Sequence, residues 1–242
     1  MRNIPYQERI ESEISHGQKI ASQAEKIWNW EGVIGNARYE RRLKYLSGGL
    51  KRGMKCLEIG CGTGLFSKNL IRSGIDLVAI DISSDLLKQA KARVPNGVFF
   101  EADACHTHFS DESFDVILGS SILHHLDVDL ALKEIHRILK PGGRIRFTEP
   151  NYLNPHIFIE RRFKYFREKF GVSKYETAFV RWNLKSKLEK AGFKSIQIEP
   201  FDFLHPLFPD RCFTFLTCQG MVLERMPLVK EIAGSLKIAA IK

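Results

Sequence analysis

Residues 57–64 read LEIGCGTG. Three glycines at alternate positions, Gly60, Gly62 and Gly64, close the apolar run MKCLEIG (54–60), and a carboxylate, Glu58, stands two residues ahead of the first. Glycines here let a chain turn sharply from strand into helix and come close to a ligand. The amides of the first helical turn then point at whatever is bound. The spacing is G-x-G-x-G, not the G-x-G-x-x-G that suits a pyrophosphate. Glu58 would oppose a diphosphate and favour a ligand carrying cationic groups.

Short apolar runs alternate with helical segments around this turn. Strands are expected at 54–60, 76–83, 97–104, 113–121 and 143–150. Helices fall between them: GLFSKNLIRSG (64–74), a segment capped by Ser83 or Ser84 that runs through Val94, and DLALKEIHRILK, capped by Asp127. This last helix ends at Lys140-Pro141-Gly142-Gly143, a turn into the fifth strand. The alternation predicts βαβ units and a mostly parallel sheet covered on both faces. Helices at 7–30 and 38–46 precede the sheet. After residue 150 come a helix at 156–170, another at 183–193, and strands at 194–204 and 235–242. The 156–170 helix puts Ile159, Phe163, Phe166 and Phe170 on one face and Arg161, Arg162, Lys164 and Arg167 on the rest.

The unusual polar residues share one edge of this sheet. Asp81 ends strand two, 21 residues after Gly60, where an acid can accept both hydroxyls of a ribose. Asp103-Ala104 ends strand three, Gly119-Ser120-Ser121 strand four and Glu149-Pro150-Asn151 strand five. Ligands of open α/β sheets bind at the carboxyl ends of the strands, near the switch in strand order.

The run LEIGCGTG, VAIDIS, EADA, FDVILGSSILHHL and LKPGGRIRFTEPN, in that order, resembles the class I S-adenosylmethionine-dependent methyltransferases, and among them the small-molecule "type 11" group. The resemblance covers about residues 54–151. It implies a Rossmann-like α/β fold: a seven-stranded sheet, mostly parallel with an antiparallel last strand, helices on both faces and an N-terminal helical lid. Residues 1–48 would form that lid and 49–242 the methyltransferase domain, with 151–183 inserted over the acceptor. The implied cofactor is S-adenosyl-L-methionine, leaving as S-adenosyl-L-homocysteine. Gly60, Cys61, Gly62 and Gly64 match the turn at the methionine and ribose, and Glu58 the acid serving the methionine ammonium. Asp81 matches the ribose acid, with Ile82 packing on adenine. Asp103 and Ala104 match the pair at the adenine amino group, and Ser120 lies near the methionine.

Methyl transfer from a sulfonium is an in-line displacement needing no covalent nucleophile, so the protein mainly aligns donor and acceptor. A hydroxyl acceptor also needs a base. His124, His125 and Glu149 are the catalytic candidates, with His156 further out. Each has a bland alternative as a packing or capping residue. Asp103, Cys105, His106 and His108 fit no standard zinc spacing, so no metal is expected.

The acceptor expected is small, or linked to a lipid or saccharide, with O- or C-methylation favoured. Six aromatic and aliphatic residues in 201–228 (Phe201, Phe203, Leu207, Phe208, Phe213 and Phe215) suit a greasy one. The net charge of +9 favours anionic partners: nucleic acid, phosphorylated small molecules or an acidic membrane surface. GSSIL follows strand four where many enzymes that methylate DNA bases carry [Asn/Asp]-Pro-Pro-aromatic, which argues against nucleic acid. Methylation of RNA or protein, or a non-catalytic cofactor-binding subunit, are the alternatives. Five scattered cysteines, a polar N-terminus and the lack of a long apolar run place the chain in the cytoplasm, with peripheral membrane contact open.

Overall fold

The computed structural model describes residues 6–28, 30–169, 172–204, 211 and 213–242. Phe170, Leu207, Phe208 and Cys212 lie outside the described residues, as do the side chains of Phe215 and Cys218. Seven strands form one sheet: β1 (Lys55–Ile59), β2 (Asp76–Asp81), β3 (Val98–Glu101), β4 (Phe114–Ser120), β5 (Leu139–Pro150), β6 (Lys194–Phe201) and β7 (Ser235–Ile241). Their order is β3-β2-β1-β4-β5-β7-β6. All pairings are parallel except those of β7, which runs antiparallel between β5 and β6. The order reverses between β1 and β4, so the crevice at the switch opens beside the LEIGCGTG turn.

The central strands are apolar on both faces because both faces are covered. On one side α6 (Val128–Ile138) and α9 (Arg181–Lys190) bring Leu132, Ile135, Leu184 and Leu188 onto Leu57, Ile117, Ile145 and Ile238. On the other, α3 (Gly32–Ser47) and the short α4 (Ser67–Leu70) pack Tyr39, Leu46 and Leu70 on Cys56, Leu77, Val116 and Leu118. Each Leu, Ile or Val among them, removed from water, contributes about 1.5–3 kcal/mol. Ser83 caps α5 (Ser84–Arg93) by accepting from the Leu86 amide, and Asp127 caps α6 by accepting from Leu130.

Several boundaries differ from expectation. The N-terminal helix is broken: α1 (Tyr6–Ile20) and α2 (Ala24–Ile27) flank a 3₁₀ turn at Ala21–Gln23, where Gln23 leaves helical geometry at φ −135°. The helix at 156–170 also divides, into α7 (Pro155–Arg162) and α8 (Lys164–Lys169), because Phe163 is extended at φ −109°, ψ 127°. The single apolar face anticipated there does not form: Ile159 and Phe163 are exposed. Strand three stops at Glu101, and Asp103-Ala104 lie in the following turn. Lys140–Gly143 bulges within β5, since Phe114 and Val116 of β4 pair with Leu139 and Arg144. The apolar stretch after β6 contains α10 (Phe213–Leu223).

Candidate functional site

Gly60, Gly62 and Gly64 have φ of 68°, 53° and 74°, the left-handed region where a side chain is strained. The turn is crowded by its own chain. A Cβ on Gly60 would lie 2.4 Å from Ile122, and one on Gly62 2.9 Å from the Trp28 ring. Glycine is therefore required before any ligand is considered. The Gly62 amide donates to Asp81 Oδ2 (2.8 Å) and the Ser83 amide to Asp81 Oδ1 (2.9 Å). Asp81 thus ties the glycine turn to the start of α5. Burial raises its pKa, opposed by the amides of Ser83 and Gly62.

A cavity of about 370 Å³ opens above this turn. Gly60, Cys61, Gly62, Asp81 and Ile82 line it at β1 and β2, and Asp103, Ala104 and Ser120 line it at the ends of β3 and β4. The Ser120 hydroxyl shares a hydrogen bond with Thr148 (2.9 Å). Gly64 and Glu58 stand behind this wall rather than in it. Glu58 is buried and accepts from Ser67 Oγ (2.5 Å), and burial pushes it up to about 7 against that hydrogen bond. Asp103 accepts from the Cys105 amide (2.9 Å) and from the Tyr6 hydroxyl of α1.

His124 and Glu149 form a buried pair, Nδ1 to Oε2 at 2.7 Å. The amides of Ile122 (3.0 Å) and Leu123 (2.8 Å) donate to Glu149 Oε1. Burial raises Glu149 to about 7 against those amides, and burial followed by the charge of His125 holds His124 well below its usual range. With Glu149 ionised, neutral His124 donates Nδ1–H to it and keeps Nε2 as an acceptor. His124 lines the cavity; Glu149 stands behind it.

His125 is different in kind. Its Nδ1 lies 2.8 Å from Glu13 Oε2 on α1, and its Nε2 3.7 Å from Glu176 Oε1. Burial opposes its charge, but Glu176 and Glu13 outweigh that and push it up to about 9. The two carboxylates favour the imidazolium at neutral pH. Glu13 also accepts from Ser173 Oγ (2.7 Å), and Arg161 pairs with Glu176 (2.8 Å). Arg9 Nη1 donates to the carbonyls of His125 (3.2 Å) and Leu126 (3.1 Å). This clasp ties α1 to the loop after β4. Folding raises His125 from its ordinary 6.5 to about 9, so its stabilisation is whole below pH 6.5 and lost as pH rises through about 9. Melting curves between pH 6 and 10 are expected to fall across that window in the parent protein. His125→Gln is expected to remove that component, and an unchanged slope in the variant would count against the clasp.

Among the described residues, the group with metal-ligand spacing is His124, His125 and Glu176, with ligand atoms within 4.8 Å of one another. The positive charge there already comes from His125 and from Arg161. Asp103, Cys105, His106 and His108 do not form such a group. His156 pairs with Glu160 (3.1 Å) and is not among the cavity-lining residues. At the far end of the cavity, the guanidinium carbons of Arg38 and Arg42 lie 5.1 and 5.4 Å from the centre of the Trp30 ring. Arg42 also holds Asp202 (2.5 Å) and Ser235 (2.7 Å).

Residues 57–147 match a family described as "Methyltransferase domain", type 11. Demethylmenaquinone methyltransferase of Paenarthrobacter aurescens (strain TC1) is 35% identical over 117 residues, 48% of this chain and 46% of that protein. The enzyme of the same name from Staphylococcus aureus (strain JH9) is 30% identical over 177 residues, 63% of this chain and 73% of that protein. The chain belongs to the class I S-adenosylmethionine-dependent methyltransferases. It spans about half the length of the first curated relatives it matches. A Thermotoga maritima methyltransferase, described as a possible histamine N-methyltransferase, superimposes with TM-score 0.68 at 21% identity, covering 94% of this chain and 99% of that one. A Haemonchus contortus phosphoethanolamine N-methyltransferase bound to S-adenosylhomocysteine gives 0.67 at 20%, covering 95% and 59%. These two likenesses concern the fold.

The residues present fit the family's methyl donor. Acids end β2 and follow β3, the apolar wall of Ile82 and Ala104 lies between them, and one cavity joins them to the glycine turn. Sequence reasoning missed Tyr6, Glu13 and Glu176. Arg9, Glu13 and His16 recur at helical spacing on α1 beside Ile10, so a polar stripe inside an amphipathic helix was the available signal. Glu176 lies in a loop, and nothing in the sequence marks it.

Proposed function

We propose that the chain transfers the methyl group of S-adenosylmethionine to the oxygen, or an activated carbon, of a small or lipid-linked acceptor. The observation that carries this is the buried His124–Glu149 pair, whose His124 lines the cavity with Glu149 behind it. Bound S-adenosylmethionine supplies an electrophilic methyl on a sulfonium, whose electrons return to sulfur as the thioether leaves. Asp81 would accept the ribose hydroxyls, Asp103 would receive the adenine amino group, and Glu58 would set a negative potential beneath the cationic methionine. His124 Nε2 would take the acceptor's proton, and His125, held charged, would favour an oxyanion beside it.

An aromatic hydroxyl such as that of a quinol fits this base, and the curated relatives are named for demethylmenaquinone. An amine acceptor fits less well, because Glu13 and Glu176 are already paired with His125 and Arg161. Residues 1–48 and 151–183 would close the site: Trp28 lies over Gly62, Tyr6 on Asp103, and Arg161 at the acceptor end. A lipid-linked acceptor would make the chain a cytoplasmic protein that works at a membrane surface.

The test is methyl-labelled S-adenosylmethionine incubated with the protein and a host extract, then separated into lipid, small-molecule, RNA and protein fractions. Label is expected in lipid or small molecules and should be reproduced by a hydroquinone acceptor. Label confined to RNA or protein would overturn the reading. Cofactor binding without label in any fraction would point to a non-catalytic subunit.

A further inference from the structure

We infer that the α7–α8 face, with the adjoining 221–232 segment, is a docking surface for an anionic lipid bilayer. The inference rests on the lipid-linked reading of the acceptor. Helix α7 has two sides with different neighbours. Ile157, Glu160 and Arg161 line the cavity, whereas Phe158 and Ile159 are 41% and 39% exposed. At the break that follows, Phe163 and Tyr165 are 49% and 67% exposed. The start of α7 abuts the second segment, where Asn154 Nδ2 donates to the Ile232 carbonyl (2.8 Å). In that segment Leu228 is 87% exposed, and Met226 and Ile232 are exposed as well. Arg181 pairs with Glu231 (2.9 Å) and lies over exposed Trp182.

So much apolar side-chain surface beside one cavity wall marks an interaction site. The charge selects the partner. Glu160 and Arg161 both face the cavity, and the basic side chains that follow them on this face are Arg162, Lys164 and Arg167. The whole chain carries +9. Apolar side chains set among basic ones suit the boundary between acyl chains and anionic headgroups. An RNA partner would use the cations and leave Leu228 and Phe163 in water. A neutral protein partner would make no use of the excess positive charge. No described helix is long and apolar enough to cross a membrane, so the contact is superficial. Because α7 borders both the cavity and this surface, an acceptor's head could reach His124 while its tail stays in the bilayer.

Co-sedimentation with phosphatidylcholine vesicles, with and without phosphatidylglycerol, tests the surface. The parent protein is expected to bind only the anionic vesicles and to release as salt rises. Arg162→Glu with Lys164→Glu should weaken binding by at least about tenfold. Phe163→Ser with Leu228→Ser should also weaken it, without restoring neutral-vesicle binding. None of these four residues lines the cavity, so both variants should keep cofactor affinity and turnover of a short-chain, water-soluble acceptor. Equal binding by parent and variants, or no anionic preference, would overturn the proposal. A concentration-dependent dimer abolished by Phe163→Ser would overturn it too, since the face would then serve a second copy. Vesicle binding with no methyl transfer to any acceptor would count against the proposed function and leave the docking surface standing.

Discussion

Glu149→Gln is expected to slow methyl transfer by about 10²–10⁴-fold, the usual worth of a positioned base, while cofactor affinity stays near that of the parent. The side chain keeps its shape, and its oxygen can still accept from the Ile122 and Leu123 amides. Its amide nitrogen then faces His124 Nδ1, which must become the acceptor. The imidazole proton moves to Nε2, and the nitrogen left for the cavity donates instead of accepting. Protonating Glu149 in the parent has the same consequence. Since burial raises that group to about 7, single-turnover rates in the parent should climb as pH rises through about 7. The Gln variant should lose that climb. A parent-like rate in the variant, or a parent rate flat across neutral pH, would reduce the pair to a buried strut between β5 and the loop after β4.

The glycine turn was legible because one chain segment carries all of it. Three glycines, an apolar run and an acid ending the next strand define a strand-to-helix crossover by local rules alone, and Asp81 stands where that rule puts it. The same locality explains the sheet, whose strands are apolar because helices cover both faces. Legibility fails where the contact is between distant segments. His124 and His125 are neighbours in sequence and look interchangeable there. Burial and the charge of His125 keep His124 neutral beside Glu149, 25 residues on, while Glu13 and Glu176, from distant parts of the chain, keep His125 charged. Glu58 shows the limit from another side. Its place in the motif was plain, yet its side chain turns to Ser67 and stands behind the cavity wall. The helix at 156–170 misled because its period is right and its environment is not. Its apolar residues are spaced for a core, but Phe158, Ile159 and Phe163 remain 41%, 39% and 49% exposed.

These placements give α1 a double duty. Its Tyr6 meets Asp103 after β3, and its Glu13 meets His125 after β4. One helix therefore borders the cavity at both Asp103 and His125. Trp28, seated on Gly62, extends the same cover to the glycine turn. Glu25 fastens this cover: it pairs with Arg93 and accepts from Thr63 (3.0 Å), the residue after Gly62.

Asp81→Ala is expected to weaken S-adenosylmethionine binding by about 1–3 kcal/mol, the scale of hydrogen bonds lost from a charged group. Two effects combine. The carboxylate is the acceptor assigned to the ribose hydroxyls, and it also holds the Gly62 and Ser83 amides at 2.8 and 2.9 Å. The first loss affects the complex alone; the second loosens the turn in the free protein. They separate by measurement. Calorimetric titration reads the sum, whereas melting of the cofactor-free variant reads the turn. Ser83 still caps α5 through its own side chain, so the helix should survive and the melting loss should be the smaller part. Asp81→Asn sharpens the distinction, because it retains an oxygen for one amide and loses the charge. A variant that melts earlier yet binds cofactor as tightly as the parent would make Asp81 a brace for the glycine turn and remove it from the ribose.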